Sequence, residues 1–240
     1  MSDSSDSESP KPAPPPFRAP TRPLAPELWL LVFQQKELKH SDYKRLERVC
    51  KDFKKLIESH SLDDRLFRSP PPAQPVKRGT KVVFHPALSI ANLVCTSTKD
   101  AYVFINSPSE EDGYKEASIL DYPCADEYAT NPSSRKIKMH MGAGVKASNK
   151  EGVKVRDVIE AVAKMWSSHP PDYVREQVVE ANWDWNPDAK VADVTWLDTL
   201  SDHRFWEGMQ SARVTSEDEV LLEHHWFAQP DLAAFPLPLT

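Results

Sequence analysis

Apolar positions are spread unevenly along the chain. Residues 1–23 run from MSDSSDSES into PKPAPPPFRAPTRP, with Phe17 the one large apolar side chain after Met1. Such a stretch is predicted to be disordered, and its prolines favour extended backbone. From Leu24 the pattern changes. Pro26 and Glu27 suit a first helical turn, and LWLLVF follows. Leu28, Leu31 and Val32 fall on one face of that helix, and Trp29, Leu30 and Phe33 on another, so both need cover. Ser41 or Asp42 can cap a second helix, YKRLERVCKDF. There Tyr43, Leu46, Val49, Cys50, Phe53, Leu56 and Ile57 recur at helical spacing. A short turn, LDDRLFR, follows Ser61. Residues 24–68 therefore read as a helical unit near the lower size limit for independent folding. Its second apolar face must be covered by the rest of the chain or by another protein.

The next residues, SPPPAQP (69–75), form a stiff proline spacer. Beyond it TKVVF, DAYVFIN and RKIKMHM read as strands, and DEVLLEHHWF as a late one. VRDVIEAVAKMW is the clearest helix, with Val155, Val158, Ile159, Val162, Ala163 and Trp166 on one face and Pro170 and Pro171 stopping it. PDYVREQVVEANW restarts as another helix. The fold class is α+β: a small N-terminal helical unit, then a separate α+β domain over 76–228 and a proline-containing tail over 229–240.

Composition narrows the chemistry. Twelve of the 22 prolines fall in the first 75 of 240 residues, so the excess belongs to tail and linker rather than core. The formal charge of −6 is concentrated in residues 151–240, which hold 17 acidic against 7 basic side chains. The densest basic run is Arg135, Lys136 and Lys138, too little for a phosphate-binding face, so nucleic acid is not an expected partner. The chain has no 18-residue apolar stretch and its first residues no apolar run, so neither a membrane span nor a secretory signal is expected. Cys50, Cys95 and Cys124 form no CxxC pair, which disfavours zinc and a disulfide framework and fits a cytoplasmic or nuclear location. Gly142-Ala143-Gly144-Val145-Lys146-Ala147 matches a loose dinucleotide fingerprint, but Asn149 to Gly152 interrupts any helix, so it reads as a turn. There is no GxxxxGK[ST] loop and no GxSxG elbow. His224 and His225 are adjacent in a strand and point to opposite faces. No catalytic residue, cofactor or metal site is predicted.

Taken together, Leu24-Ala25-Pro26-Glu27-Leu28-Trp29-Leu30-Leu31-Val32-Phe33, Leu38, Asp42-Tyr43, Leu46, Val49-Cys50-Lys51, Phe53 and Leu56-Ile57 resemble an F-box. The interval from Phe33 to Asp42 is about two residues longer than usual in that family. Within a helix such an insertion would rotate all later residues by about 200°, so it is expected in a loop. The resemblance implies a subunit that docks on a Skp-type adaptor, and through it on a cullin-RING scaffold, to present a client for ubiquitin transfer. The residues it assigns to the adaptor are Leu24, Pro26, Glu27, Leu28, Trp29, Leu30, Val32, Phe33, Leu46, Val49, Cys50 and Phe53. Trp29, Leu30 and Phe33 are expected to be exposed until the adaptor covers them. Residues 128–141 and 152–162, YATNPSSRKIKMHM and GVKVRDVIEAV, also resemble an uncharacterised fungal domain, which implies no activity. Two other readings stay open: an adaptor-bound scaffold without cullin, and an enzyme with an unrecognised C-terminal site. Six of the seven tryptophans lie between Trp166 and Trp226. With the acidic charge around them, Trp185 and Trp206 are the candidates for gripping an unknown client with a basic segment.

Overall fold

In the computed structural model, which describes residues 24–92, 102–106, 114–140, 144–181, 188–200, 209–216 and 218–224, the chain opens with three short helices. They are α1 (Pro26–Phe33), α2 (His40–Leu46) and α3 (Lys51–Ile57), followed by a 3-10 turn at His60–Leu62. The single helix expected over Tyr43 to Phe53 is two. The chain breaks after α2 and restarts where the Cys50 thiol, at the N-cap of α3, accepts the Phe53 N–H at 3.5 Å. The break lets Phe53 turn back onto α1. Its ring lies 4.7 Å from Trp29 and 5.2 Å from Phe33, edge-on to both. Phe33, Tyr43, Ile57, Leu62 and Leu66 form a small core of their own. Tyr43 donates its hydroxyl proton to the Phe33 carbonyl at 2.5 Å, and Arg65 donates to that hydroxyl and to the carbonyls of Gln34 and Gln35. The free C-terminal end of α1 is thereby satisfied. Residues 34–39 connect α1 to α2.

The α+β part is built on a four-stranded sheet in the order β7-β6-β9-β8. Its strands are β6 (Lys136–Met139), β7 (Val145–Ser148), β8 (Met209–Ser216) and β9 (Glu219–His224). Neighbours run antiparallel except β6 and β9, which pair in parallel from Lys136↔Glu219 to Met139↔Leu222. Helix α5 (Val155–Trp166) packs on β7 and buries Val155, Val158, Ile159, Val162, Ala163 and Trp166, the face its periodicity predicts. The Lys154 N–H, at the start of α5, is bonded by the Asp157 carboxylate at 2.9 Å. Helix α6 (Asp172–Ala181) buries no residue. Two smaller sheets complete the part: β1 (Val83–Phe84) with β5 (Thr130–Asn131), and β2 (Ala91–Asn92), β3 (Tyr102–Asn106) and β4 (Tyr114–Ser118) in sequence order. A four-residue helix, α4 (Ala87–Ile90), lies between β1 and β2. Among the described residues no helix is long and apolar enough to cross a membrane.

The proline spacer over 69–75 is tied down as a strap. Ser133 donates to the Ser69 carbonyl at 2.8 Å, Arg135 reaches the Pro72 carbonyl at 3.4 Å, and Pro71 lies over Gly152. Gly152 has φ +103°, and a Cβ there would sit 2.7 Å from both Pro71 Cγ and the Tyr128 ring. The two parts have separate apolar cores, yet they are not separate bodies. The Tyr128 N–H donates to the Phe67 carbonyl at 2.7 Å, and the Asn131 amide to the Asp64 carbonyl at 2.7 Å.

Candidate functional site

The two parts meet at a buried carboxylate. Glu127 ends the 3-10 turn Pro123–Asp126 and is 7% exposed. His85 reaches it from the end of β1, while His40 and Lys44 reach it from α2. Glu127 Oε2 accepts from His40 Nε2 and His85 Nε2, both at 2.9 Å, and Oε1 accepts from Lys44 Nζ at 2.6 Å. Burial pushes the Glu127 carboxyl up, but these three donors outweigh it and hold the group far below the usual carboxylate range. Arg68 stands 3.9 Å from Oε1 and bonds Glu47 at 3.0 Å. His85 is fully buried, and burial followed by the nearby His40 pulls it below its ordinary value of 6.5 despite the Glu127 hydrogen bond.

His40, His85 and Glu127 bring three potential metal-ligand atoms within 4.8 Å of one another. Their hydrogen bonding favours a proton-filled cluster instead. The Ala87 N–H donates to His85 Nδ1 at 3.0 Å, so in the neutral ring the proton sits on Nε2 and points at Glu127. A metal on Nε2 would move that proton to Nδ1, against another donor, beside an ammonium already on the carboxylate. His85 has no lone pair left for general-base work. Cys124 lines the same cleft, but burial and then the Glu127 charge push its thiol up, away from a reactive thiolate.

Above this cluster lies a cleft of about 1120 Å³ between α2, α3 and the 3-10 turn at Pro123–Asp126. Pro86, Ala87, Ile119 and Pro123 supply apolar lining, and six Lys and Arg side chains lie around it. The sequence holds no local sign of this site. His40, His85 and Glu127 come from three elements more than 40 residues apart. The nearest hint is His85-Pro86-Ala87, where a ring nitrogen can accept the N–H two residues on.

The residues assigned to an adaptor divide differently from expectation. Phe33 is 1% exposed, and Trp29, Leu30, Leu46 and Phe53 are half-buried, so the expected face is largely covered by its own chain. The other face stands open. Leu24, Leu28, Leu31, Val32 and Val49 are 46–65% exposed, beside exposed Pro26, Glu27 and Cys50. The stacking of Phe53 on Trp29 exchanges the two faces. Trp183, Trp185, Trp206, Trp226 and His225, and the side chain of His224, lie outside the described residues, as do residues 1–23 and 225–240.

A family model matches residues 99–219, and its description is a family of unknown function, DUF6699. The match takes in the YATNPSSRKIKMHM segment, β6 to α5 and the whole of β8, and leaves out the three N-terminal helices. Comparison with curated proteins and with solved structures gives no match.

Proposed function

Because the chain belongs to DUF6699, a family of unknown function, we propose its role from its own surfaces: it is a client-binding subunit docked through α1 on a Skp-type adaptor of a cullin-RING ubiquitin ligase. The observation that carries this reading is the exposed apolar face of α1, Leu28, Leu31 and Val32, with Leu24 and Val49 exposed as well. The small core beneath is already filled by Phe33, Tyr43, Ile57, Leu62 and Leu66. Leu28, Leu31 and Val32 share one face of α1 by their spacing, and an exposed apolar helix face of this kind is what a partner helix or groove covers. The F-box resemblance over Leu24 to Ile57 supplies the partner's class, and the α+β part holds the client.

The test is capture of a purified Skp-type adaptor by the full chain. Leu28→Glu with Leu31→Glu is expected to weaken capture by roughly 30-fold or more, as loss of central apolar anchors does. The thermal midpoint should stay, because neither side chain is in the core. Undiminished capture by the double variant overturns the docking face. Cullin in the purified complex marks a ligase, and its absence marks a scaffold.

A further inference from the structure

The cleft above Glu127 has an uneven charge balance. Its four acids are all answered: Glu127 by Lys44 at 2.6 Å, Glu47 by Arg68 at 3.0 Å, Glu58 by Lys54 at 3.7 Å and Asp126 by Arg156 at 2.9 Å. Three cations of its lining, Lys39, Arg48 and Lys154, make no ion pair among the described residues. They come from both parts of the chain. Lys39 and Arg48 flank α2, while Lys154 precedes α5 on the α+β part. Three unanswered cations are matched by a ligand that carries several acids. Of the apolar lining, Pro86, Tyr122 and Pro123 are exposed and offer contact, and the lining holds no further acid to repel such a ligand. Clefts for small molecules run to about 300–1,000 Å³, and this one is larger.

We infer that this cleft binds an extended acidic peptide segment of a partner protein, its Asp and Glu side chains on Lys39, Arg48 and Lys154 and its apolar side chains on the exposed apolar lining. The sign is opposite to the expectation drawn from residues 151–240. Net acidity there says little about a cleft lined by residues 39–154, because the sum over a segment does not show which charges are left unpaired. In an adaptor-bound receptor the bound segment would be the client's, held by both parts of the chain rather than by the α+β part alone, but the binding itself needs no adaptor.

The experiment uses the full chain alone and a fluorescent peptide of about ten residues alternating Glu and Leu, read by anisotropy at low salt. The expected result is saturable binding that weakens at least tenfold when Glu is replaced by Gln, and about tenfold between 0.05 and 0.5 M salt. Lys39→Glu, Arg48→Glu and Lys154→Glu together should weaken it roughly 30-fold or more, with adaptor capture unchanged. Should that triple variant fold poorly, Lys39→Gln, Arg48→Gln and Lys154→Gln together is expected to weaken binding about fivefold. Equal affinity for the Gln peptide, indifference to the folded triple variant, or no binding at about 1 mM peptide overturns the assignment. Displacement by inorganic phosphate at the same concentration as by unlabelled peptide also overturns it, by reducing the cleft to a simple anion site. Loss of adaptor capture by the α1 variants with peptide binding intact would fault the docking reading alone.

Discussion

Replacing Glu127 by Gln removes one charge at nearly constant volume and probes the joint between the two parts. The carboxylate accepts from His40, His85 and Lys44 and is 7% exposed. An amide offers one acceptor oxygen and turns two N–H donors towards groups that are themselves donors. At least one histidine N–H or the Lys44 ammonium then loses its partner in a buried setting. A lost hydrogen bond to a charged group costs about 1.5–3 kcal/mol, and breaking a buried pair about 3–5 kcal/mol. Lys44 is partly exposed and can find water, which places the expectation at about 2–4 kcal/mol. For a chain of this size that is a fall of roughly 5–15 °C in thermal midpoint. The assay is thermal and urea unfolding of both proteins across pH 3–7, with surface Glu151→Gln as control. Glu127 is held below its ordinary value of 4.5, so its contribution is full above that value and is lost as pH falls below it. The variant should therefore lose part of the acid limb below about pH 4.5 as well as stability at pH 7. A change at pH 7 within about 0.5 kcal/mol, the size of an ordinary surface substitution, would refute the view that this carboxylate joins the parts.

Three further outcomes are expected from the same geometry. His85 lies below its ordinary 6.5, so stability should fall as pH drops from about 6.5, and His85→Gln should flatten that slope in urea titrations; a slope left unchanged counts against the assignment. Gly152→Ala forces a left-handed backbone and a 2.7 Å contact with Pro71, and should cost at least about 1–3 kcal/mol by thermal unfolding, with proteolysis of the 69–75 strap accelerated. Tyr43→Phe removes the bond to the Phe33 carbonyl and a partner of Arg65, and should cost about 1–2 kcal/mol in urea unfolding while the proposed adaptor face stays intact.

Helix α5 was legible because seven of its twelve side chains are buried at a helical period, and β6 and β9 because short β-rich runs need no context. Strand β8 was not. Its pairing shifts at Met209/Ser211 and again at Val214/Ser216, and each irregularity breaks the alternation that marks a strand. The helical unit shows another limit. Periodicity places Trp29 and Phe33 on one face and Leu28 and Leu31 on another, but which face is covered depends on where Phe53 lands. That depends in turn on the break at Glu47–Cys50, which a continuous helical pattern conceals. The Glu127 site is the extreme case, assembled from lone residues whose types suggest nothing until the fold brings them together.

The parallel pairing of β6 with β9 sets an order on how the molecule comes into being. β9 is an inner strand of the four-stranded sheet, yet about 80 residues of chain separate it from β6. During synthesis, the β6–β7 hairpin and α5 emerge well before the strand that fills the sheet's middle, so β6 waits with one row of amide and carbonyl groups unpaired. A nascent chain is exposed to edge-to-edge association over that interval. Shortening the protein before residue 219 would leave the sheet permanently in that state, taking away its centre instead of trimming its margin.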